Sequence, residues 1–528
     1  MKSCILGRSN TGQTLLACAV AAGAIAALAV NLPWVWRFTV DDSYITLRYS
    51  RHLAEGLGPT FNATGPRAEG YTSFLWMLVL AVPHLLQIPA LTAAKVLGAI
   101  AALGTTAVIA CWARDGARDG SVTSIAMASA VAAYAMLGRT AVHAVSGMET
   151  ALYTFLLTAL LYTSARTIRA PGPARYWRFA VLCTLAGLAR PEGNLVAAIL
   201  FAGAFINAPR RDRGSLVRIA ALGWALPLGV YEIWRLSYYG LLFPLPFYVK
   251  VASASVLPGA PQVLDWLGDA AVRIGLPVGV AVATSAREHR PTLAAAFALV
   301  AFSLLPEHLN GYEYRYLAPL DPMLSVLFGI GIARVLQLLR SEWSRFGVAF
   351  ALILLACGLA GVDAVRSIRG RLGYADGMAS AHEPLGRELA GLGFRGRVAL
   401  SDAGAIPYLS RWWTLDLVGL NDPEIAITGN RDPSRVLATS PHVIILVSGS
   451  LNRFEPVDWN AWEGPLYDAA TQRGFACVSI RQFEIGYWLW VLARPDSPEG
   501  RVLGAGPGVS AVSAVSVDHH RATHAPGR

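Results

Sequence analysis

Charged residues are scarce in this sequence. Asp, Glu, Lys and Arg make up 15% of the 528 residues, against about a quarter in an ordinary soluble domain. Hydrophobic residues make up 54%, and mean hydropathy is +0.45. That excludes an ordinary soluble globular protein and places the chain in the membrane class. Cysteine is also sparse. Cys4, Cys18, Cys111, Cys183, Cys357 and Cys477 include no CxxC pair, so neither a disulfide framework nor a zinc site is implied. Several catalytic signatures are missing: GxxxxGK[ST], GxGxxG after a strand, HExxH, and GxSxG in a strand–turn–helix setting. Nucleotide hydrolysis and zinc-peptidase chemistry are thereby excluded.

The formal net charge is +10, but the arginines sit in short loops between apolar runs. Topology explains them, and nucleic-acid binding is not expected. A spanning helix needs about 20 apolar residues. Candidate runs lie near 13–36, 73–89, 92–112, 121–138, 149–165, 177–190, 193–208, 216–236, 272–285, 291–305, 317–339 and 346–363. Arg114 and Arg118 follow the third run, Arg166 to Arg178 the fifth, Arg210 to Arg218 the seventh, Arg287 and Arg290 the ninth, and Arg340 and Arg345 the eleventh. All of these, with Lys2 and Arg8, lie inside together only if one early run does not cross. The run 73–89, short and interrupted by Pro83 and His84, is read as juxtamembrane or re-entrant. The expectation is a bacterial inner-membrane protein with about eleven transmembrane helices, the N-terminus cytoplasmic and the C-terminus outside. Its outward loops are 37–91, 139–148, 190–193, 237–271 and 306–316.

Three domains follow: a transmembrane domain over 1–370, in which 37–91 is the first outer loop with juxtamembrane helices; an extracytoplasmic α/β domain over 371–495; and a disordered tail over 496–528. The second rests on strand-like runs at 397–400, 414–418, 443–447, 476–480 and 487–492, with a helix-like stretch at 382–392. The tail is rich in Gly, Pro, Ser and Val, a composition that buries too little apolar surface to fold. Its His519, His520 and His524 are read as solvated.

Ionisable residues near membrane depth are costly and usually functional. Here they gather on the outward side: Asp41 and Asp42, Arg48, Glu69 and Tyr71, Glu149, Arg190 and Glu192, Lys250, and Tyr314 with Arg315. Carboxylates, cations and phenols on one face suit group transfer from a phosphate leaving group. A carboxylate takes the proton of an attacking hydroxyl, a cation neutralises the departing phosphate, and tyrosines pack on sugar rings. Asp41 and Asp42 are the base candidates, and a divalent cation, Mg or Mn, could bind beside them. Each residue also has a purely structural reading: a capping role for Glu149, an ion pair for Arg190 and Glu192, interfacial snorkelling for Lys250, and a cation–π anchor for Arg315.

The stretch Asp41-Asp42-Ser43-Tyr44-Ile45 to Arg48-Tyr49, followed by Gly56-Leu57-Gly58, Phe61-Asn62 and Glu69-Gly70-Tyr71-Thr72-Ser73-Phe74-Leu75-Trp76, resembles the first outer loop of GT-C glycosyltransferases. It is most similar to the mycobacterial-type terminal beta-arabinofuranosyltransferase group. Ser146 to Thr150, Ala189 to Gly193, Phe243-Pro244 to Lys250 and Tyr314 to Pro319 resemble later motifs of that group in the same order, and Asp402 to Tyr408 and Asp416 to Asp422 resemble its extracytoplasmic domain. The resemblance implies a GT-C fold and an inverting enzyme. It implies a polyprenyl-phosphate sugar donor, arabinofuranose among the candidate sugars, and an envelope glycan, glycolipid or glycoprotein acceptor. It also implies that an aspartate of the first loop, Asp41 or Asp42, is the general base. Two alternatives stand beside it: a non-catalytic membrane assembly factor such as a flagellar motor control protein, and a lipid or solute transporter.

Overall fold

The computed structural model describes residues 11–117, 120–251, 257–284, 289–306, 311–339 and 341–505. The expectations for Lys2, Arg8, Arg118, Arg287, Arg340 and the histidines of the tail concern residues outside that set.

Each of the apolar runs is largely helical. The helices are α1 (Thr11–Val35), α2 (Asp41–Ala54), α3 (Phe74–Leu85), α4 (Ala90–Ala117), α5 (Gly120–Ala135), α6 (Gly138–Val145), α7 (Thr150–Arg169), α8 (Pro173–Ala189) and α9 (Glu192–Asn207). They continue with α10 (Arg210–Ala220), α11 (Leu226–Tyr239), α12 (Leu245–Val251), α13 (Ala260–Ala283), α14 (Arg290–Phe302), α15 (Asp321–Leu338) and α16 (Glu342–Gly377). The chain is a multi-pass membrane protein. Among the described residues six helices are long and apolar enough to cross a bilayer, or seven if α5 and α6, bent by 59°, count as one span. That measure, of length and composition, leaves the expected count of eleven crossings open. With 17, 16 and 13 residues, α8, α9 and α14 are short for a hydrocarbon core about 30 Å thick.

The expected outward loops 139–148 and 237–271 contain helix. Residues 139–145 belong to α6, and 260–271 are the first turns of α13. The physical reason is the same in both places. Arg139 in α6 pairs with Asp321 at 2.8 Å and with Asp269 of α13 at 3.0 Å, and Trp266 Nε1 donates to Asp321 at 3.1 Å. These polar residues satisfy one another inside the bundle, so a low apolar count there does not mark a loop. Another internal cation holds the segment after α1: Lys95 Nζ donates to the carbonyls of Trp36 and Phe38 at 2.5 and 2.9 Å.

At one end of the bundle Asp115 accepts from Tyr162 at 2.8 Å and lies 3.8 Å from Arg166, so the arginine-bearing ends of α4 and α7 meet. The opposite end, the head, carries α2, α3 and the C-terminal unit. α16 has 36 residues, about 54 Å at 1.5 Å per residue, and carries the chain out of the bundle to that unit.

The C-terminal unit is built on one mixed sheet. Its strands are β1 (Arg397–Leu400), β2 (Trp413–Asp416), β3 (Val443–Ser448), β4 (Ala476–Glu484) and β5 (Tyr487–Ala493), in the order β2-β1-β3-β5-β4. β2, β1 and β3 run parallel, and β5 pairs antiparallel with β3 and β4. Alternating side chains serve two cores. Ala399, Ile444, Leu446 and Leu492 pack with Leu415, Ile425, Val436 and Leu466 on one face. Val398, Leu400, Val443, Ile445 and Val491 share the other with Ile45, Tyr49, Phe61 and Tyr71 of the first loop. The sheet and the loop are therefore halves of one core. The tail departs from the expectation at its start. Pro498–Ala505 is helical, because Leu503 finds a fully buried place against this core.

Candidate functional site

The head of the bundle holds a cleft of about 380 Å³, counting its open part, lined by Asp42, Ile45, Thr46, Gly70, Tyr71, Thr72, Met148, Glu149, Pro246, Lys250, Arg315 and Leu420. Six segments far apart in sequence meet there. Five residues singled out from the sequence are among them: Asp42, Tyr71, Glu149, Lys250 and Arg315.

Asp41 and Asp42 separate because they begin a helix, where successive side chains point about 100° apart. Asp42 faces the cleft with its Oδ2 3.9 Å from Arg315 Nη1. Asp41 faces the C-terminal unit. Its carboxylate accepts from the backbone N–H of Gly404 at 3.0 Å and of Ala405 at 2.8 Å, and its own N–H donates to the Tyr374 hydroxyl at 3.1 Å. Gly404 is required for this approach, since a Cβ there would lie 2.1 Å from the Asp41 carbonyl oxygen. Burial pushes the Asp41 carboxyl up to about 6, against the opposing pull of His382. His382 Nε2 is 2.8 Å from Asp402, and Asp402 accepts from Tyr487.

Arg315 is 4% exposed. Its Nη2 donates to the Tyr316 hydroxyl at 3.3 Å, while Nε and Nη1 have no hydrogen-bond partner among the described residues. The backbone before it is strained. Glu313 and Tyr314 adopt φ of +49° and +54°, a left-handed conformation that costs a non-glycine residue on the order of 1–3 kcal/mol. The surroundings hold it there. His143 Nε2 is 2.9 Å from the Glu313 carbonyl, Ser367 donates to the Glu313 carboxylate at 2.7 Å, and Arg139 lies under the Tyr314 ring.

Lys250 Nζ donates to the Tyr316 hydroxyl at 2.9 Å. Arg190 donates to Glu192 at 2.5 Å and to Glu149 at 3.0 Å, with its guanidinium carbon 5.2 Å from the Tyr316 ring centre. Tyr316 thus sits among three cations. It was not singled out from the sequence, although it directly follows Arg315.

Five other expected substrate-binding residues, Arg190 among them, do not line the cleft. Arg48 spends its guanidinium on Phe61, Asn62, Pro407 and Trp412, at 2.5 to 3.0 Å, and so fastens the first loop to the C-terminal unit. Glu69 accepts from Arg235 at 2.9 Å, while its carbonyl accepts from Leu245 at 2.9 Å and thereby anchors the helix that carries Lys250. Burial raises the Glu69 carboxyl to about 7 despite Arg235. Glu192 serves Arg190, and Tyr314 covers Arg139. In each case the polar group already has a buried partner, which sequence position alone does not disclose. Arg235 did leave a signal, as an arginine inside the apolar run 216–236.

The C-terminal unit supplies Leu420 to the cleft wall. Buried Asp416 accepts from the N–H groups of Val418, Gly419 and Asn421 at 2.9 to 3.1 Å, which fixes the turn. Tyr49 donates to Asn421 at 3.1 Å, and Gly70 donates to the Tyr49 hydroxyl at 2.9 Å. A Cβ on Gly70 would lie 1.8 Å from Asn421 Oδ1. As for a divalent cation, Asp42 and Glu149 are the cleft's two carboxylates and both already face arginines. No group of three or more His, Cys, Asp or Glu side chains assembles among the described residues. Two carboxylates would hold Mg²⁺ or Mn²⁺ only together with water and a substrate phosphate.

A family model described as a domain of unknown function, DUF8728, matches residues 381–489. Two curated relatives are called terminal beta-(1->2)-arabinofuranosyltransferase. The one from Corynebacterium glutamicum is 30% identical over 306 residues, 51% of this chain and 41% of the relative; the one from Mycobacterium tuberculosis is 32% identical over 236 residues, 42% and 36%. The match thus spans about two fifths of each relative's length. Among solved structures, ArnT from Cupriavidus metallidurans bound to undecaprenyl phosphate aligns over 94% of this chain and all of that one, with a TM-score of 0.59 and 16% identity. The oligosaccharyltransferase AglB from Archaeoglobus fulgidus, in complex with an inhibitory peptide and a dolichol-phosphate, aligns over 92% and 75%, with a TM-score of 0.53 and 13% identity. The chain therefore has the GT-C fold of ArnT and AglB, and in sequence it resembles terminal beta-arabinofuranosyltransferases.

Proposed function

We propose that this protein is an inverting membrane glycosyltransferase that moves a sugar from a polyprenyl-phosphate donor to a cell-envelope glycan, glycolipid or glycoprotein. The observation that carries the reading is the cleft itself: Asp42 and Glu149 share it with Lys250 and Arg315, and the Nε and Nη1 of Arg315 make no hydrogen bond among the described residues. The names of the relatives and the lipid phosphates bound to ArnT and AglB support it. Arabinofuranose is the sugar those relatives favour. Arginines concentrated at the end of the bundle opposite the cleft support an outward-facing site on the inner membrane.

The chemistry follows from the charges. Asp42 takes the proton of the acceptor hydroxyl as its oxygen bonds to the anomeric carbon. The bond from that carbon to the phosphate oxygen breaks on the opposite side, and its electron pair leaves with the polyprenyl phosphate. The phosphate gains negative charge in that step. Arg315 and Lys250, both beside Asp42 in the cleft, stabilise the gain most strongly in a partly dehydrated site. Asp41 acts through position: its bonds to Gly404 and Ala405 fix the first turn of the helix that aims Asp42. Tyr71, with its hydroxyl 3.1 Å from that of Tyr239, backs the cleft wall from the buried core.

The test is transfer by the purified full chain in nanodiscs, with polyprenyl-phosphate arabinofuranose and a panel of other polyprenyl-phosphate sugars, read by mass spectrometry of the acceptor. Mass gain by one sugar with release of polyprenyl phosphate is expected from one donor. No transfer from any of them, by protein whose thermal unfolding is cooperative, would overturn the reading.

A further inference from the structure

A second group of cations lies on the other side of α2. Nine residues separate Asp42 from Arg51, which at 100° per residue sets them on opposite faces. Arg51 is 7% exposed, and its guanidinium carbon lies 4.5 Å from the centre of the Tyr408 ring. Its Nη1 donates to the Tyr408 carbonyl at 2.7 Å, whereas Nε and Nη2 have no hydrogen-bond partner among the described residues. Those two N–H groups form the side-on edge of the guanidinium, the geometry that grips two oxygens of one phosphate. Buried and unpaired, they are expensive.

Two further basic groups lie near Arg51. His84, in the last turn of α3, has its ring centre 6.3 Å from that of Tyr408, and its Nε2 is also buried without a partner. Arg411, on a left-handed backbone with φ of +58°, is held by Glu55 at 3.1 Å. Burial and the nearby charge of Arg51 hold His84 below its ordinary value, so it serves as a neutral hydrogen-bonding group beside the charged arginines. Glu55 is the carboxylate set against them. Beside His84 the flank of α3 is apolar and open: Val82, Leu85 and Leu86 are 51%, 64% and 63% exposed.

We propose that Arg51, His84 and Arg411 bind the phosphate of an anionic glycerophospholipid whose acyl chains lie along the exposed flank of α3. The excess of cations selects an anion, the arginine edge selects a phosphate, and the adjoining apolar surface selects a lipid over a free ion. The site is separate from the donor cleft and stands whether or not the transfer reaction does. A lipid held there joins α2, α3 and the C-terminal unit, because Tyr408 and Arg411 belong to the last of these.

The experiment uses the full chain in neutral detergent and follows the midpoint of thermal unfolding during titration with phosphatidylglycerol, phosphatidylcholine or inorganic phosphate. Phosphatidylglycerol should raise the midpoint saturably, with the other two weak at the same concentration. R51Q and R411Q should each raise the apparent Kd for phosphatidylglycerol about tenfold, the loss of roughly one charged hydrogen bond. If R51Q does not fold, R411Q decides, since that side chain is exposed. Equal responses to phosphatidylglycerol and phosphatidylcholine, full replacement by inorganic phosphate, or wild-type binding by R411Q would each overturn the proposal.

Discussion

Replacing Arg315 attacks the cleft at its most exactingly placed charge. Its Nε and Nη1 make no hydrogen bond among the described residues, and the strained turn before it holds it in position. A hydrogen bond from a charged donor is worth about 1.5–3 kcal/mol. Arg315→Lys keeps the charge and forfeits the planar fork, about one such bond, so kcat/KM should fall about 10- to 150-fold. Arg315→Gln removes charge and fork together, about 3–6 kcal/mol, and should cost at least 10²-fold. The reaction adds a second signature. The donor is a phosphodiester with one negative charge, and the released lipid is a monoester approaching two. Wild-type protein should therefore bind polyprenyl phosphate more tightly than donor, and Arg315→Gln should erase most of that difference. Initial rates against donor concentration, with polyprenyl phosphate as inhibitor, measure both. A kcat/KM within about threefold of wild type for Arg315→Gln would refute the assigned role.

Arg48→Ala should remove four charged hydrogen bonds that fasten the first loop to the C-terminal unit. We expect a loss of about 3–5 kcal/mol, read as a lower Tm and faster proteolysis after residue 377. Gly70→Ala should force the loop and the Asp416–Asn421 turn apart, lowering transfer more than it lowers expression. Glu463 in the C-terminal unit accepts from Ser401 and from the Val447 N–H, yet burial raises its carboxyl to about 8. A carboxyl raised on folding makes the native state bind the extra proton, so stability falls as pH rises from about 4.5 to 8. Glu463→Gln removes that fall, and its Tm relative to wild type should be higher at pH 8.5 than at pH 5; a constant difference would refute the assignment.

The strands of the C-terminal unit were legible because alternation reports a two-faced sheet directly. The expected starts at 397, 443, 476 and 487 coincide with those of β1, β3, β4 and β5. The helices were legible from apolar runs, but the polar contacts between them were not. Arg139, Asp269 and Asp321 neutralise one another inside the bundle, where composition alone suggests loop. The site was legible as a set of segments, not as a set of contacts. The motif around Asp41 and Asp42 marks the place, yet which carboxylate faces the cleft depends on a turn of α2 and on Gly404, some 360 residues away. The same applies to Arg48 and Glu69, whose partners Trp412 and Arg235 become neighbours only in the folded chain. Leu420 reaches the cleft only because the sheet and the first loop share a core.

The central claim is that Asp42, and not Asp41, accepts the proton. It is tested most directly by single-turnover transfer with Asp42→Asn and Asp41→Asn in parallel, on full-length protein in nanodiscs matched for Tm. Loss of a general base lowers the rate by about 10²–10⁴-fold, and that is the result expected of Asp42→Asn. Asp41→Asn keeps one of the two contacts to Gly404 and Ala405 and should stay within about tenfold of wild type while unfolding at a lower temperature. The reverse order, or near-wild-type transfer by Asp42→Asn, would contradict the account.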